Sequence, residues 1–530
     1  MNRAYLRFPS GRTFLISEDI SELREGKRPI FVFWNEETLK ANFEIATRTP
    51  LPECYCYFAP PTKLGLKNIT KREGIFRVIL CNSKDAKDCL GSGVKACGEE
   101  AEGRLTHFIL SDEHAKPGSP VVEFTDNLCP RFFVNALDGD YPVSLSPFSF
   151  TSVPFPLAEA DEIGLLSLGD EAEFSLAYLE KGKITVSPDY GELAGFYEIE
   201  EMDRLVNSVM GHLQYRNVTV LREFSNFSLT SNYIRRFAHA RTVDHLHSHL
   251  AAVMFDNGFN DEKGIGIVYD GESQGENDLV QGGEILYGRP GEFETVARWS
   301  PVPLPGGEIA NVEPWRIALA VLRESTRKDL NELSIPLVEK LREKQGERYV
   351  FDAINNGDIS YSLSSSMRHI VAAVGELLDF EEQTWDFNYF ENQMDKDVIE
   401  DYAGEHYPVS VKTEEDLLIL NTFDLFRGIV QDLFTQAVPE NLVYKTFFGI
   451  LSATVAVVET LSKKFRTKDV FLSGEFFRHP HFVEIFHSAL TGKGFRVHVH
   501  RTLPVDDSGI SVGQLIQYWF MKKREKASLQ

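Results

Sequence analysis

The chain has 530 residues, 43% of them apolar and 25% charged, enough for roughly two to four domains with cores of their own. Its formal net charge of −24 repels phosphate backbones, which argues against nucleic acid as a partner. No run of about eighteen apolar residues occurs and the N-terminal segment has no apolar stretch of signal-peptide length, so no membrane span and a cytoplasmic location are expected.

All six cysteines (Cys54, Cys56, Cys81, Cys89, Cys97 and Cys129) precede residue 130. Their spacing does not match a paired CxxC zinc ribbon, and reduced, structural cysteines are expected, with an irregular metal site as the alternative. Residues 29–34, 76–81 and 120–124 read as strands and 39–46 as a short helix. Residues 163–187 read as a β-hairpin: IGLLSL and FSLAYL are the strands, GDE and EKGK the turns. A helix is expected over 199–216, a strand over 218–224 and a second helix over 231–240.

The stretch from Thr242 to Arg289 carries the most chemistry. His245 and His249 stand four apart, which on a helix puts both imidazoles on one face, one turn apart. Two such rings can share a metal ion when a third ligand arrives from elsewhere, or they can simply form a solvated face. His247 falls on the other side of that helix. Residues 250–255 read as the buried continuation, ended by Gly258. GIGIVY (264–269) reads as a buried strand with Asp270 at its C-terminal tip, where ligands bind in open α/β sheets. Gly271, Gly275, Gly282 and Gly283 read as a loop that turns the chain or lets the backbone approach an anion.

Residues 303–308 (PLPGGE) read as a turn, and Glu313-Pro314-Trp315-Arg316 as the start of a long helix. Helices are expected over 329–346, 366–380, 416–438 and 440–464. DVFLSGEFFRH (469–479) reads as strand, turn and helix. Asp506 and Asp507 read as a helix N-cap pair.

The order of HLHSH, YDGESQGEN, QGGE, PLPGGE and EPWR resembles the C-terminal carbamoyltransferase domain of the hydrogenase maturation factor HypF, which reads HHHAH, DGxGxGxxG, WGGE, PLPGGD and EPWR. The HxxxH pair also resembles the tRNA threonylcarbamoyl transferases. The resemblance covers about 163–518 and implies an α/β, actin-like (ribonuclease-H-like) ATPase fold of two lobes over 161–530. It implies a linker at 146–160 and a smaller α+β domain over 1–145, either a reduced YrdC-like domain or an unrelated one.

Carried over residue by residue, the resemblance implies His245, His249, Asp270 and Asp507 as metal ligands and catalytic centre, with iron or zinc as the ion. It implies Gly271, Gly275, Glu276, Gly282, Gly283, Gly306, Gly307, Glu391 and Gly474 as the binding site for ATP or a carbamoyl-adenylate. The implied activity is carbamoyl transfer from a small-molecule donor to a partner maturation protein, as in synthesis of the cyanide ligands of NiFe hydrogenase. Neither nucleic acid nor a membrane is implied as partner.

The departures concentrate on the nucleotide side. Asp170 and Glu173 stand in the first turn for the family's glycine and lysine. Gln281 replaces a tryptophan. Arg368, His369 and Ala372 replace glycine, arginine and aspartate in SSxGRLFDAV, and Glu475 and His479 replace the second glycine and the asparagine in SGGVFQN. A carbamoyltransferase with an altered donor site is therefore expected. A non-catalytic metal-binding relative that serves in assembly, and carbamoylation of a small-molecule hydroxyl, are the alternative readings.

Overall fold

The computed structural model describes residues 4–7, 13–16, 30–33, 55–58, 121–124, 130–133, 151–155, 164–180, 182–187, 193, 196–213, 218–223, 233–275, 278–378, 387, 390, 405–435, 439–501 and 503–528. The expected strands at 29–34 and 120–124 appear as Ile30–Phe33 and Val121–Phe124. The expected strand at 76–81, the helix at 39–46, the boundaries at 145 and 160, Glu276 and Glu391 lie outside the described residues. The chain divides into two compact units. One takes in residues up to Val243 together with His500–Trp519; the other is Asp244–Val499 with Phe520–Gln530.

The first unit is built on the hairpin read in the sequence. Strands β1 (Thr151–Pro154), β2 (Gly164–Ser167), β3 (Ala177–Glu180) and β4 (Lys183–Val186) are followed by helix α1 (Phe196–Leu213), β5 (Val218–Arg222) and β6 (Ala240–Thr242). They form one mixed sheet in the order β6-β5-β2-β3-β4-β1. Leu166, Leu168, Phe174, Leu176, Met202, Val206 and Val220 join α1 to the sheet in one apolar cluster. Among the described residues, the helix expected over 231–240 does not run its length: Tyr233 is helical, a 3-10 turn, Ile234–Arg236, follows, and the end of the stretch becomes β6, because Ala240–Thr242 pairs in parallel with Val220–Arg222. Backbone pairing across the sheet overrides the local apolar spacing there.

The second unit holds α2 (His245–Asp256), β7 (Gly264–Gln274), β8 (Leu279–Arg289), β9 (Glu292–Trp299), β10 (Val302–Pro305), α3 (Trp315–Thr326), α4 (Pro336–Glu343), α5 (Arg348–Asn356), β11 (Tyr361–Ser364) and α6 (Met367–Leu377). After these come β12 (Val411–Glu414), β13 (Leu417–Leu420), α7 (Thr422–Phe434), α8 (Pro439–Phe465), β14 (Asp469–Ser473), α9 (Pro480–Gly492) and β15 (Arg496–His498). Its sheet runs β12-β13-β9-β8-β7-β14-β15, with β11 beside β8 and β10 beside β11. Residues 416–421 are therefore not helical: Leu418–Leu420 lie in parallel register with Ala297–Trp299, and α7 starts only at Thr422. The expected helix over 329–346 is likewise broken. A 3-10 turn at Leu330–Glu332 precedes α4, where Pro336 takes the first helical position.

Two features of this unit place the site. Helix α2 starts at Asp244, whose carboxylate accepts the backbone N–H of His247 at 2.9 Å, a cap worth about 1 kcal/mol. Its Leu246, Leu250, Val253 and Met254 pack on Val268, Leu286 and Phe471 of the sheet. Strand β7 is buried on both faces through Asp270 and continues to Gln274. Gly271, Gly282 and Gly283 thus lie in the paired strands β7 and β8, not in a loop after a strand tip, with an irregularity between Tyr269 and Ser273. The parallel register of β7 with β14 ends at Val268 opposite Ser473, which leaves Asp270 facing the chain just beyond β14.

Helix α8 contains the one stretch among the described residues that is long and apolar enough to cross a membrane by length and composition; it is mostly buried inside the protein, as a core helix is. Its Thr454 hydroxyl lies 2.6 Å from the buried Tyr269 phenol, which also accepts the Trp299 indole N–H at 3.0 Å. That phenol is pushed up by burial against those two bonds.

Gly474 sets the approach of β14 to the end of β7. Its φ is +99°, and a Cβ there would stand 2.3 Å from the carbonyl oxygen of Tyr269. Gly474→Ala is expected to destabilise the protein by about 2–3 kcal/mol. Urea unfolding measures this; an unchanged midpoint would show that the two strands have slack at this point.

Candidate functional site

Three side chains of the second unit converge. His245 and His249 lie on α2 and Asp270 on β7, all three buried. His245 Nε2 is 2.7 Å from Asp270 Oδ2, and His249 Nε2 is 3.2 Å from the same oxygen. The ring centroids are 4.8 Å apart at 69°, so the helical i, i+4 spacing aims both Nε2 atoms at one point. The other carboxylate oxygen, Oδ1, accepts the backbone N–H of Glu475 at 2.8 Å. Ser473 Oγ lies 3.4 Å from His249 Nδ1, the ring atom on the far side from the carboxylate.

Burial opposes a charge on Asp270. The imidazoles, His249 foremost, outweigh it and hold the carboxyl well below the usual carboxylate range. The ligand atoms of the three residues lie within 4.8 Å of one another. Two imidazoles and one carboxylate, closed off from water and braced from behind, are a donor set that fits a divalent transition ion. His247 takes no part; its ring packs 5.6 Å from that of Phe293.

Of the expected anion-approaching glycines, three gather around Asp270. A Cβ on Gly282 would stand 2.8 Å from the Asp270 carbonyl oxygen, and one on Gly474 3.2 Å from the Asp270 Cβ. Gly271 follows Asp270 directly. Gly283 lies in β8 against the Ser365 carbonyl, and Gly275 closes the hairpin by donating its N–H to the Leu279 carbonyl at 2.9 Å. Gly306 and Gly307 form a separate turn after β10, where Gly306 neighbours Ile309 and Arg316. Asp507 belongs to the first unit, where it opens the 3-10 turn Asp507–Gly509 ahead of helix α10 (Ile510–Ser528). Asp506 does not cap that turn with its side chain. It accepts the Ser508 hydroxyl at 2.5 Å instead.

The turn after β2 shows what became of two departures. Asp170 Oδ1 accepts the N–H of Ala172 at 2.5 Å, closing the turn on itself. Glu173 Oε2 accepts the N–H of Ser508 at 3.2 Å. Ser175 Oγ meets Ser511 Oγ at 2.7 Å, Ser167 Oγ donates to Gln514 Oε1 at 2.6 Å, and Gln514 Nε2 donates to the Gly169 carbonyl at 3.3 Å. Both carboxylates thus hold this turn and the start of α10 in shape.

One residue of the site was not singled out by the sequence. Glu284, inside the QGGE motif, is fully buried. Its Oε2 accepts the N–H groups of Gly282 and Gly283 at 2.7 Å each, and its Oε1 accepts the Ser365 hydroxyl at 2.5 Å. An acidic residue directly after two glycines is the signal that could have found it. His369, one of the departures from the family pattern, is clamped between Ser364 Oγ at 2.6 Å and Asn311 Oδ1 at 2.8 Å.

A pair of helix-borne imidazoles meets a strand carboxylate inside an α/β sheet unit, beside a glycine-lined backbone, as a candidate metal-ligand cluster. Residues 266–514 match the family model described as carbamoyltransferase, Kae1-like domain, second subdomain. It is 23% identical over 380 residues to the carbamoyltransferase HypF of Synechocystis sp., covering 68% of this chain and 48% of that protein. It is 29% identical over 170 residues to a carbamoyltransferase HypF homolog of Cupriavidus necator, covering 31% of this chain and 43% of that one. The chain therefore spans about half the length of these curated relatives or less. A crystal structure of full-length HypF in the phosphate- and nucleotide-bound form shares the fold, with a TM-score of 0.63 at 17% identity over 98% of this chain and 84% of that one.

Burial pushes the Glu284 carboxyl above the usual glutamate range, outweighing the hydrogen bonds from Ser365, Gly282 and Gly283 and the charge of Arg298. A raised acid binds its proton in the folded state at pH values where the unfolded chain has lost it. Stability from this group is therefore lost as pH rises from the ordinary glutamate pKa through the raised one. Glu284→Gln removes that slope, so the stability of the wild type relative to the variant is expected to fall across this window and level off above it. Urea midpoints of both proteins at stepped pH test this; parallel curves would show that Glu284 titrates normally.

Proposed function

We propose that the protein is a carbamoyltransferase whose centre is a metal ion held by His245, His249 and Asp270. The observation that carries this reading is the convergence of both Nε2 atoms on a single buried carboxylate oxygen. The family match supports the activity. The donor set favours iron or zinc over magnesium, which takes oxygen ligands and retains its waters.

In this reading the bound ion would stabilise negative charge developing on oxygen during carbamoyl transfer. The remaining work falls to the chain. His245 and His249 hold their Nε2 lone pairs inward, with Ser473 beside the outer nitrogen of His249. Glu475 fixes Asp270 through its backbone N–H, so the carboxylate presents one oxygen to the centre. Glu284 ties down the Gly282 and Gly283 backbone beside it. Burial of the three ligand side chains keeps water from competing for them. The donor in this reading is an ATP-derived carbamoyl-adenylate, and the acceptor a thiolate of a partner maturation protein, as in assembly of hydrogenase cyanide ligands. The cytoplasm is the matching location.

A second reading, a metal-binding relative without turnover that serves in assembly, is favoured by one observation: Asp170, Glu173, Arg368 and Glu475 place charged side chains where the family pattern has glycines and a lysine, and each is engaged within the protein.

The purified protein is expected to carry about one iron or zinc per chain, lost in His245→Ala, and to release pyrophosphate from ATP when given carbamoyl phosphate. Elemental analysis and a coupled pyrophosphate assay check this. Equal metal in both proteins would sink the ligand assignment. Full metal with no pyrophosphate at millimolar nucleotide would select the second reading.

A further inference from the structure

Two of the departures from the family pattern, distant in sequence, meet in the second unit. Arg368 lies in the first turn of α6 and Glu475 just after β14, and Arg368 Nη2 is 2.5 Å from Glu475 Oε2. The pair lies against Gly271: a Cβ built there would be 2.9 Å from Arg368 Nη2 and 3.0 Å from Glu475 Oε2. Neither partner can drift far. Glu475 is pinned by its backbone N–H on Asp270 Oδ1. The start of α6 is pinned by Ser366, whose hydroxyl donates to the Gly271 carbonyl and accepts the Arg368 N–H at 3.1 Å. The side chains are 38% and 22% exposed, so solutes can reach the pair from solvent. Beside Gly271 the two opposite charges compensate each other.

We propose that Arg368 is a binding residue for a phosphoryl group of the donor, and that Glu475 is an internal anion that occupies it until that group displaces it. A guanidinium offers a fork of N–H donors that matches a phosphoryl group as well as it matches a carboxylate, so the two anions compete for one cation. The place of the competition is next to Asp270, and it sets which anion may lie against Gly271. The proposal rests on the reading above that this part of the protein receives an anionic donor, either a nucleotide or carbamoyl phosphate.

The test is a binding cycle on the metal-loaded, full-length protein. Inorganic phosphate, carbamoyl phosphate and ATP are each titrated calorimetrically into wild type, Arg368→Gln, Glu475→Gln and the double variant. Glu475→Gln is expected to tighten phosphate binding about tenfold where Arg368 is present and to change it less than about twofold in the Arg368→Gln background. The carbamoyl phosphate and ATP arms show which donor carries the effect. Equal tightening in both backgrounds would mean that Glu475 merely repels anions through the local field, and no tightening in either would mean that the pair is structural; both overturn the proposal. The cycle needs no turnover. A protein that shows it without releasing pyrophosphate keeps this assignment and loses the transferase reading; one that releases pyrophosphate with equal affinities in all four forms does the reverse.

Discussion

The second unit is organised around a single oxygen atom, Asp270 Oδ2, which two imidazoles share at 2.7 and 3.2 Å. A buried carboxylate without compensation costs several kcal/mol, so its neighbourhood must supply cation character and N–H donors. The structure supplies both from separate directions: α2 brings the rings, and the turn after β14 brings the Glu475 N–H. Each delivery depends on ordinary folding forces. The Asp244 cap fixes where α2 begins, and the apolar stripe Leu246, Leu250, Val253 and Met254 fixes which side faces the sheet. The parallel register of β7 and β14 fixes how far Asp270 extends beyond Ser473.

Around this centre the structure spends polar groups on holding backbone still. Glu284 is a carboxylate devoted to the N–H groups of two glycines and one serine hydroxyl, in a place where no solvent reaches. Ser366 both caps α6 and grips the Gly271 carbonyl. Such close backbone approaches explain why glycines and buried hydroxyls cluster in the same few residues.

How much of this was legible in the sequence differs by the range of the interaction. The His245–His249 pairing and the position of Asp270 on an apolar strand follow from helix and strand periods, which are local, and the order of motifs pointed to the family whose model matches residues 266–514. The glycine stretch was misread as a loop because glycine signals a turn locally, while the pairing of Ser273 and Gln274 with Gln281 and Val280 makes it a hairpin. The end of the segment 231–240 was misread because the strand partner of Ala240, Val220, lies outside the window that sets helix propensity. The departures at Arg368 and Glu475 looked like two losses. Their contact, across 107 residues, appears only in three dimensions.

Central to the account is that both imidazoles bind one ion through Nε2 together with a carboxylate. X-ray absorption at the iron or zinc edge of the as-purified protein measures this most directly. The account predicts a first shell of nitrogen and oxygen donors at roughly 2.0–2.2 Å, with the outer-shell scattering of two imidazole rings that drops to one in His249→Ala. An ion with no imidazole scattering, or a spectrum unchanged by that substitution, would contradict it.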